Sequence, residues 1–289
     1  PRIVIPVVVG SSPIVHPIFC VDMGKYALLG GKVSSSLSPK IYKTFFDHHG
    51  LNINYSLYDC APEDLADKLS CLKKQGYDGC NITNPLKQIA TQYASVDNLT
   101  AMFGAANVIK FSANESDCAF NTDGVGLVRD LLRIGCIKGA KILILGGGGV
   151  IAAISYNLIT AGADVIIAAR DVSKLQVSLK GLSDYNFNMI NLASVKRGYD
   201  IVINATSTTL SDLIPSLPED LLLNCHLYYD LSYADSAIQS LLLASDLGVP
   251  NCVSGMGMLV YQAAHAMQIW TGHMPSDSII LDTICKLDA

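Results

Sequence analysis

The sequence predicts an α/β protein of two successive α/β domains, and three observations carry that expectation. Short apolar runs rich in branched residues alternate with amphipathic stretches along most of the chain, as strands and helices do around a parallel sheet. The stretch Ala140–Arg170 holds a strand, a run of four glycines, a helix and a second strand, so one right-handed βαβ crossover is legible by itself. With 289 residues, 50% of them hydrophobic and 16% charged, the chain can fill two cores.

Taken in order, Pro1–Asp22 is apolar but broken by prolines and too short to span a bilayer, and Arg2 alone is a poor charged region for a signal peptide. It reads as an extension before a first domain that starts at Met23. Tyr26–Leu29 is a strand, and Ser38–His48 a helix with Ser38 as N-cap and Pro39 as first residue. Ile53–Tyr58 alternates as a strand does. Leu65, Leu69 and Leu72 recur at helical spacing in Pro62–Lys74, which Gln75-Gly76 ends before a strand at Tyr77–Ile82. Asn84 can cap a new helix with Pro85 in its first position, placing Lys87 in the first turn. Asn107–Phe111 and Cys118–Phe120 pair as a hairpin around Ser112–Asp117, and the helix Asp123–Arg133 leads out of the domain. The boundary is expected near Thr122, giving a first domain over 23–122 and a second over 123–255. The helices Met256–Thr271 and Asp277–Leu287 have no strand after them, and are expected to return to the first domain and close a cleft between the halves.

In the second domain Lys141–Leu145 reads as a strand buried on both faces, stopped by Gly146, Gly147, Gly148 and Gly149 before a helix at Val150–Thr160. Glycines let the backbone turn sharply and aim N–H groups outward where the positive end of the helix dipole suits a pyrophosphate. Gly146 and Gly148 match the first two positions of G-x-G-x-x-G, while Ile151 stands where a small residue lets helix and strand approach. The pattern is that of a Rossmann-type dinucleotide-binding domain, although such a turn also serves purely structural ends. The second strand, Asp164–Ala169, ends not in an acidic residue but in Ala169-Arg170, which favours the 2′-phosphate of NADP over the bare ribose of NAD. Asp171 can accept from a free ribose, leaving NAD possible, or can simply cap the helix that starts near Val172. Asp200–Asn204 and Leu227–Leu231 continue the sheet, with Asn204-Ala205-Thr206-Ser207 at a strand's carboxyl end, where open α/β sheets bind ligands.

Composition excludes several classes. A formal charge of −5, a pI near 5.6 and no basic run argue against nucleic acid and for a small-molecule substrate. Nine cysteines without C-x-x-C spacing read as reduced thiols in a cytoplasmic protein, without disulfides or zinc. His226 and His265 lie in apolar surroundings without ligand spacing and read as core residues. No membrane segment is expected.

Chemistry gathers ahead of the glycine turn. In its expected helical first turn Lys87 would be disfavoured as an ammonium by roughly 0.3–1 kcal/mol, which suits acid–base work, against the commoner fate of a solvated lysine. Asp123 at a helix N-terminus can pair with an ammonium, accept from a substrate hydroxyl, or merely cap. Ser36 and Ser38 offer hydroxyls and helix N–H groups to an anion, or again only a cap.

Ser36-Leu37-Ser38-Pro39, Asn81-Ile82-Thr83-Asn84-Pro85-Leu86-Lys87, Gly104-Ala105-Ala106-Asn107, Asn121-Thr122-Asp123-Gly124, the glycine turn and Gly255-Met256-Gly257-Met258-Leu259-Val260-Tyr261-Gln262 occur in the order seen in shikimate dehydrogenases. From Met23 onward the chain resembles that family and its quinate/shikimate relatives. The resemblance implies a substrate domain followed by an NADP-binding domain, and reversible NADPH-dependent reduction of 3-dehydroshikimate to shikimate in aromatic amino acid biosynthesis. It implies that Ser36, Ser38 and Tyr233 hold the substrate carboxylate, that Thr83, Asn107 and Gln262 bond its hydroxyls, and that Lys87 and Asp123 flank the reacting hydroxyl. It further implies cofactor contacts at Gly146–Val150, Ala169, Arg170, Asp171, Lys174, Asn204, Ala205, Thr206 and Gly255. Where the family carries Asn-Arg-Thr this chain has Ala169-Arg170-Asp171, and Ser35 and Asn84 replace the usual histidine and valine. A quinate/shikimate dehydrogenase using NAD, and a non-catalytic cofactor-dependent sensor, are the rival readings. Monomer and homodimer are both compatible.

Overall fold

The computed structural model describes residues 24–206, 218, 220–233 and 235–288. The expected extension Pro1–Asp22, the domain start at Met23, and Ser207 lie outside them. The described residues form two six-stranded sheets.

The first sheet is built from β1 (Gly24–Gly30), β2 (Ile53–Asp59), β3 (Gly79–Ile82), β4 (Ser95–Val96), β5 (Val108–Lys110) and β6 (Cys118–Phe120), in the order β2-β1-β3-β5-β6-β4. β1 pairs parallel with β2 and β3, whereas β5 runs antiparallel to β3 and to β6, so the expected hairpin is present in a mixed sheet. The helices of this half are α1 (Ser38–His48), α2 (Leu65–Lys74) and α3 (Asn98–Phe103). Leu65, Leu69 and Leu72 are the buried face of α2, as their spacing requires.

The second sheet is wholly parallel. It contains β7 (Lys141–Leu145), β8 (Asp164–Ala169), β9 (Asn188–Asn191), β10 (Ile201–Asn204), β11 (Leu227–Asp230) and β12 (Cys252–Ser254). Its order is β9-β8-β7-β10-β11-β12, with α4 (Asp123–Ile134), α5 (Ile151–Thr160), α6 (Val172–Ser178) and α7 (Asp235–Asp246) connecting and covering it. This is the doubly wound 3-2-1-4-5-6 order, whose switch point lies between β7 and β10. The turn Gly146–Gly149 leaves β7 there, beside the end of β10. Gly146 holds φ +135°, and a Cβ on it would meet Ala205 O at 2.8 Å, so neither the conformation nor the space admits another residue. Ile151, placed where a small residue was expected, is fully buried in the core shared with Ile142, Ile144 and Ile203.

The final helices, α8 (Met256–Thr271) and α9 (Asp277–Asp288), do return to the first sheet. Val260, Met267, Trp270, Ile280 and Ile284 share one core with Tyr26, Ile41, Tyr42, Phe45 and Phe46. Trp270 stacks on Tyr26 at 4.5 Å between ring centroids and donates its indole N–H to Ile109 O at 3.0 Å.

Four local expectations change. Lys87 is not in a helix: Thr83 to Leu86 close a turn, with Leu86 N–H donating to Thr83 O at 2.9 Å and the Asn84–Pro85 bond cis, and the next helical turn starts only at Ile89. Ser38 is not the N-cap of α1 but its first helical residue; Leu37 holds the cap position, and the Ser36 hydroxyl accepts the Ser38 N–H at 3.2 Å. Pro62–Asp64 is a separate 3-10 turn before α2, and the Tyr77–Ile82 strand shortens to Gly79–Ile82. Elements without strong periodicity of their own, α3, α7, β4, β9 and β12, were not expected.

Candidate active site

The carboxyl ends of β1 and β3, the start of α1, the turn after β3 and the facing ends of α4 and α8 enclose a cavity of about 660 Å³. All eight residues expected to bind or transform the substrate line it: Ser36, Ser38, Thr83, Lys87, Asn107, Asp123, Tyr233 and Gln262.

At its floor Lys87 Nζ donates to Asp123 Oδ2 at 2.7 Å, with side chains 22% and 6% exposed. Neither group owes its position to a helix cap. Leu86, fully buried, anchors the turn, and Lys87 O accepts from Ala106 N–H at 2.8 Å, so the lysine stem leaves a fixed backbone. Asp123 is the first residue of α4, its own N–H donating to Asn121 Oδ1 at 3.0 Å. Its second oxygen accepts from Asn107 Nδ2 at 2.9 Å. Asn107 is 3% exposed and also donates to Thr122 Oγ1 and Gln262 Oε1, while its Oδ1 accepts from Thr122 N–H at 2.8 Å. The amide thus fixes the Asp123 carboxylate and Gln262 relative to one another. A carboxylate that meets an ammonium on one oxygen and an amide on the other keeps the ammonium aimed at a single point in the cavity.

In the same cavity, the Ser36 and Ser38 hydroxyls stand 3.1 Å apart at the start of α1, where helix N–H groups favour an anion. Burial raises the Tyr233 hydroxyl above its ordinary pKa, so it remains a neutral donor toward such an anion.

The residues expected to hold the cofactor lie at the ends of the second sheet. A Cβ on Gly148 would meet nothing within 4 Å, so the face of the glycine turn is open, and the N-terminus of the ten-residue α5 points into that space. Val150 is the N-cap of α5, and Arg170 is exposed just past the end of β8, as a partner for a 2′-phosphate must be. These features fit a dinucleotide phosphate. The Asp171 carboxylate is engaged as the N-cap of α6, accepting Lys174 N–H at 2.9 Å. Between the two sites sits Asp230, 1% exposed, accepting from Asn204 Nδ2 at 3.0 Å, Ser232 N–H at 2.9 Å and the Ser240 hydroxyl. Asn204 Oδ1 accepts in turn from the Thr206 hydroxyl at 2.7 Å, and Gly255 N–H bonds Ser232 O at 2.8 Å. One buried carboxylate therefore ties the cofactor-side turn to the strand end that carries Tyr233.

Sequence reasoning missed several lining residues. Asn81, buried and bonded to Tyr55 OH at 2.6 Å, belongs to a family motif but by its own pattern marks only a strand end, and Met258 and Leu259 by theirs mark only a helix. Lys32 and Ser232 carried no signal. His265 is half-buried, and desolvation, with Arg129 nearby, lowers its pKa. Among the described residues no cluster of His, Cys, Asp or Glu could hold a metal, and no helix is long and apolar enough to cross a membrane.

Comparison with known proteins agrees with this geometry. The shikimate dehydrogenase substrate binding domain matches residues 28–109, shikimate / quinate 5-dehydrogenase matches 129–222, and the shikimate 5'-dehydrogenase C-terminal domain matches 255–285. The shikimate dehydrogenase (NADP(+)) of Alteromonas mediterranea is 36% identical over 269 residues, 91% of this chain and 96% of the relative. The crystal structure of an Ael1 enzyme from Pseudomonas putida superposes with a TM-score of 0.83 at 29% identity, covering 92% of this chain and 98% of that one. Shikimate 5-dehydrogenase from Thermus thermophilus, solved with NADP(H) and shikimate, gives a TM-score of 0.78 at 27% identity over 92% of this chain and all of its own. Motif order, the doubly wound second sheet and identity across nearly the whole described chain converge, and the chain belongs to the shikimate dehydrogenase family.

Proposed function

We propose that the protein catalyses the reversible NADP-linked reduction of 3-dehydroshikimate to shikimate, a step of aromatic amino acid biosynthesis carried out in the cytoplasm. The observation that carries this reading is the Lys87–Asp123 ion pair at 2.7 Å, set in a cavity that is also lined by two serines and a neutral tyrosine. A proton donor and an anion site in one cavity suit a cyclic acid that carries both a carboxylate and a reducible ring carbonyl.

Lys87 gives a proton to the carbonyl oxygen as the substrate is reduced and takes it back in the oxidative direction. Asp123 holds the ammonium in line and balances its charge, and Asn107 holds Asp123. Ser36, Ser38 and Tyr233 receive the carboxylate, and Thr83 and Gln262 the ring hydroxyls, so the ring is oriented by groups remote from the chemistry. Gly146–Val150 would hold the pyrophosphate, Arg170 with Lys174 the 2′-phosphate, and Ala169, Asn204, Ala205, Thr206 and Gly255 the rest of the cofactor. When bound there, the nicotinamide supplies or accepts the hydride. In this reading residues 23–122 with 256–289 form the substrate domain and 123–255 the NADP domain.

The test is direct. Purified protein is given shikimate or quinate with NADP or NAD, and reduced-nicotinamide absorbance is followed. Turnover of shikimate with NADP, with less on quinate or NAD, is expected. Binding of both ligands without turnover would overturn the enzymatic reading.

A further inference from the structure

We infer that Lys32 is a specificity-determining residue of the cavity, supplying a cation to the substrate's carboxylate beside Ser36 and Ser38. The inference rests on the proposed function. Among the described residues three charged side chains line the cavity: Lys32, Lys87 and Asp123. Lys87 and Asp123 neutralise one another at 2.7 Å, whereas Lys32 takes part in no ion pair among the described residues. The cavity lining thus carries one uncompensated positive charge, which a monoanionic substrate would balance and a neutral one would not.

Its position is fixed by neighbours on both sides. Gly31 N–H donates to Asn84 O at 3.0 Å, and Val33, 3% exposed, donates its N–H to Asp59 Oδ1 at 2.9 Å. Ser36 N–H then returns to Val33 O at 3.0 Å. The Lys32 backbone is therefore pinned to the turn before Lys87 and to the end of β2, and only its side chain is free to swing over the cavity. Ser36 follows within the same loop, and Lys32, Ser36 and Ser38 all line the cavity. A lysine stem can cross such a distance while its head stays solvated until the anion arrives.

Lys32→Gln and Lys32→Arg are compared with the wild type, using shikimate and its uncharged methyl ester as substrates with NADP. Because the side chain is exposed, the expected effect is moderate. KM for shikimate should rise about three- to tenfold in Lys32→Gln, with a smaller change in kcat, and Lys32→Arg should stay within about twofold of wild type. The preference for acid over ester should shrink by the same factor in Lys32→Gln. Added salt should weaken shikimate binding more in the wild type than in that variant. A merely structural role would not move the acid-to-ester ratio. Active wild type together with Lys32→Gln of unchanged KM and unchanged ratio overturns the assignment alone. Wild type that oxidises neither shikimate nor quinate overturns the functional reading and the assignment with it.

Discussion

Lys87 reaches its site by a route its sequence did not announce. The expected helix dipole is absent, because the chain spends Asn84–Leu86 on a turn, and what stands in its place is a carboxylate 2.7 Å away held by a buried asparagine. The motif identified the residue; its electrostatic setting came from a partner thirty-six positions later, which no local reading shows. Lys87→Ala should lower kcat by about 10²–10⁴-fold with KM changed far less, and a near-normal kcat would remove Lys87 from the mechanism. Arg170 and Asp171 pose a second question at this scale. By sequence Asp171 could accept from a ribose or only cap a helix, and its carboxylate accepts Lys174 N–H as the cap of α6, which supports the proposal that Arg170 sets the cofactor preference. Each charge-assisted bond to a 2′-phosphate is worth about 1.5–3 kcal/mol, so Arg170→Ala should cut kcat/KM for NADP at least about tenfold and leave NAD nearly unchanged. Equal losses with both cofactors would place Arg170 on the adenine or in the fold. Lys32 was invisible because a single lysine in a loop reads as solvated until the fold wraps the loop over a cavity.

Among elements, those with strong internal periodicity or clear stops were legible. Ser38–His48, Lys141–Leu145, Asp164–Ala169 and Met256–Thr271 have the bounds that their apolar spacing and flanking glycines or prolines set. Two-residue β4 and three-residue β12 exist only because a neighbour offers its edge, so nothing in their own residues marks them. The packing of α4 on its neighbours is a similar case, where glycines that mark nothing in the sequence set the distance between helices. A Cβ on Gly126 would stand 2.8 Å from Gln262 Cβ and 2.9 Å from its backbone nitrogen, and one on Gly124 would stand 2.2 Å from Ala153 O on α5. Close approach is therefore required at the point where Gln262 enters the cavity. Gly126→Ala should destabilise the protein by about 1–3 kcal/mol through overpacking, and should also raise KM for the substrate by displacing Gln262. Thermal unfolding and steady-state kinetics on the same preparation check both halves; a variant with wild-type midpoint and KM would show that the helices part without consequence.

At the scale of the molecule, the first sheet is completed by the far end of the chain. One face rests on α2 and the other on α1, α8 and α9, so the core containing Tyr26, Tyr42, Phe45 and Phe46 is half supplied by residues after 256. The two helices with no strand to follow implied this return to the first domain, but not which residues of it they would meet. Trp270, the single tryptophan of the chain, is the keystone of that contact, lying against Tyr26 and 5.3 Å from the Tyr42 ring centroid, with its N–H on Ile109 O. The second sheet depends on α8 far less; Met258 is the one buried residue of that helix in its core. Stripping α8 and α9 would expose at least four aromatic side chains, each worth about 1.5–3 kcal/mol of burial, a sum comparable with the roughly 5–15 kcal/mol that stabilises a whole domain. A chain ending at Gly255 should therefore leave residues 24–122 unable to hold their fold while the parallel sheet from Lys141 to Thr206 persists. Limited proteolysis and hydrogen exchange should find cleavage and loss of protection across the first half, with the strands of the second sheet still protected. If the shortened chain keeps residues 24–122 as protected as in the full protein, the first sheet is stable on its own, and the return of α8 serves only to bring Gln262 and Met258 to the cavity.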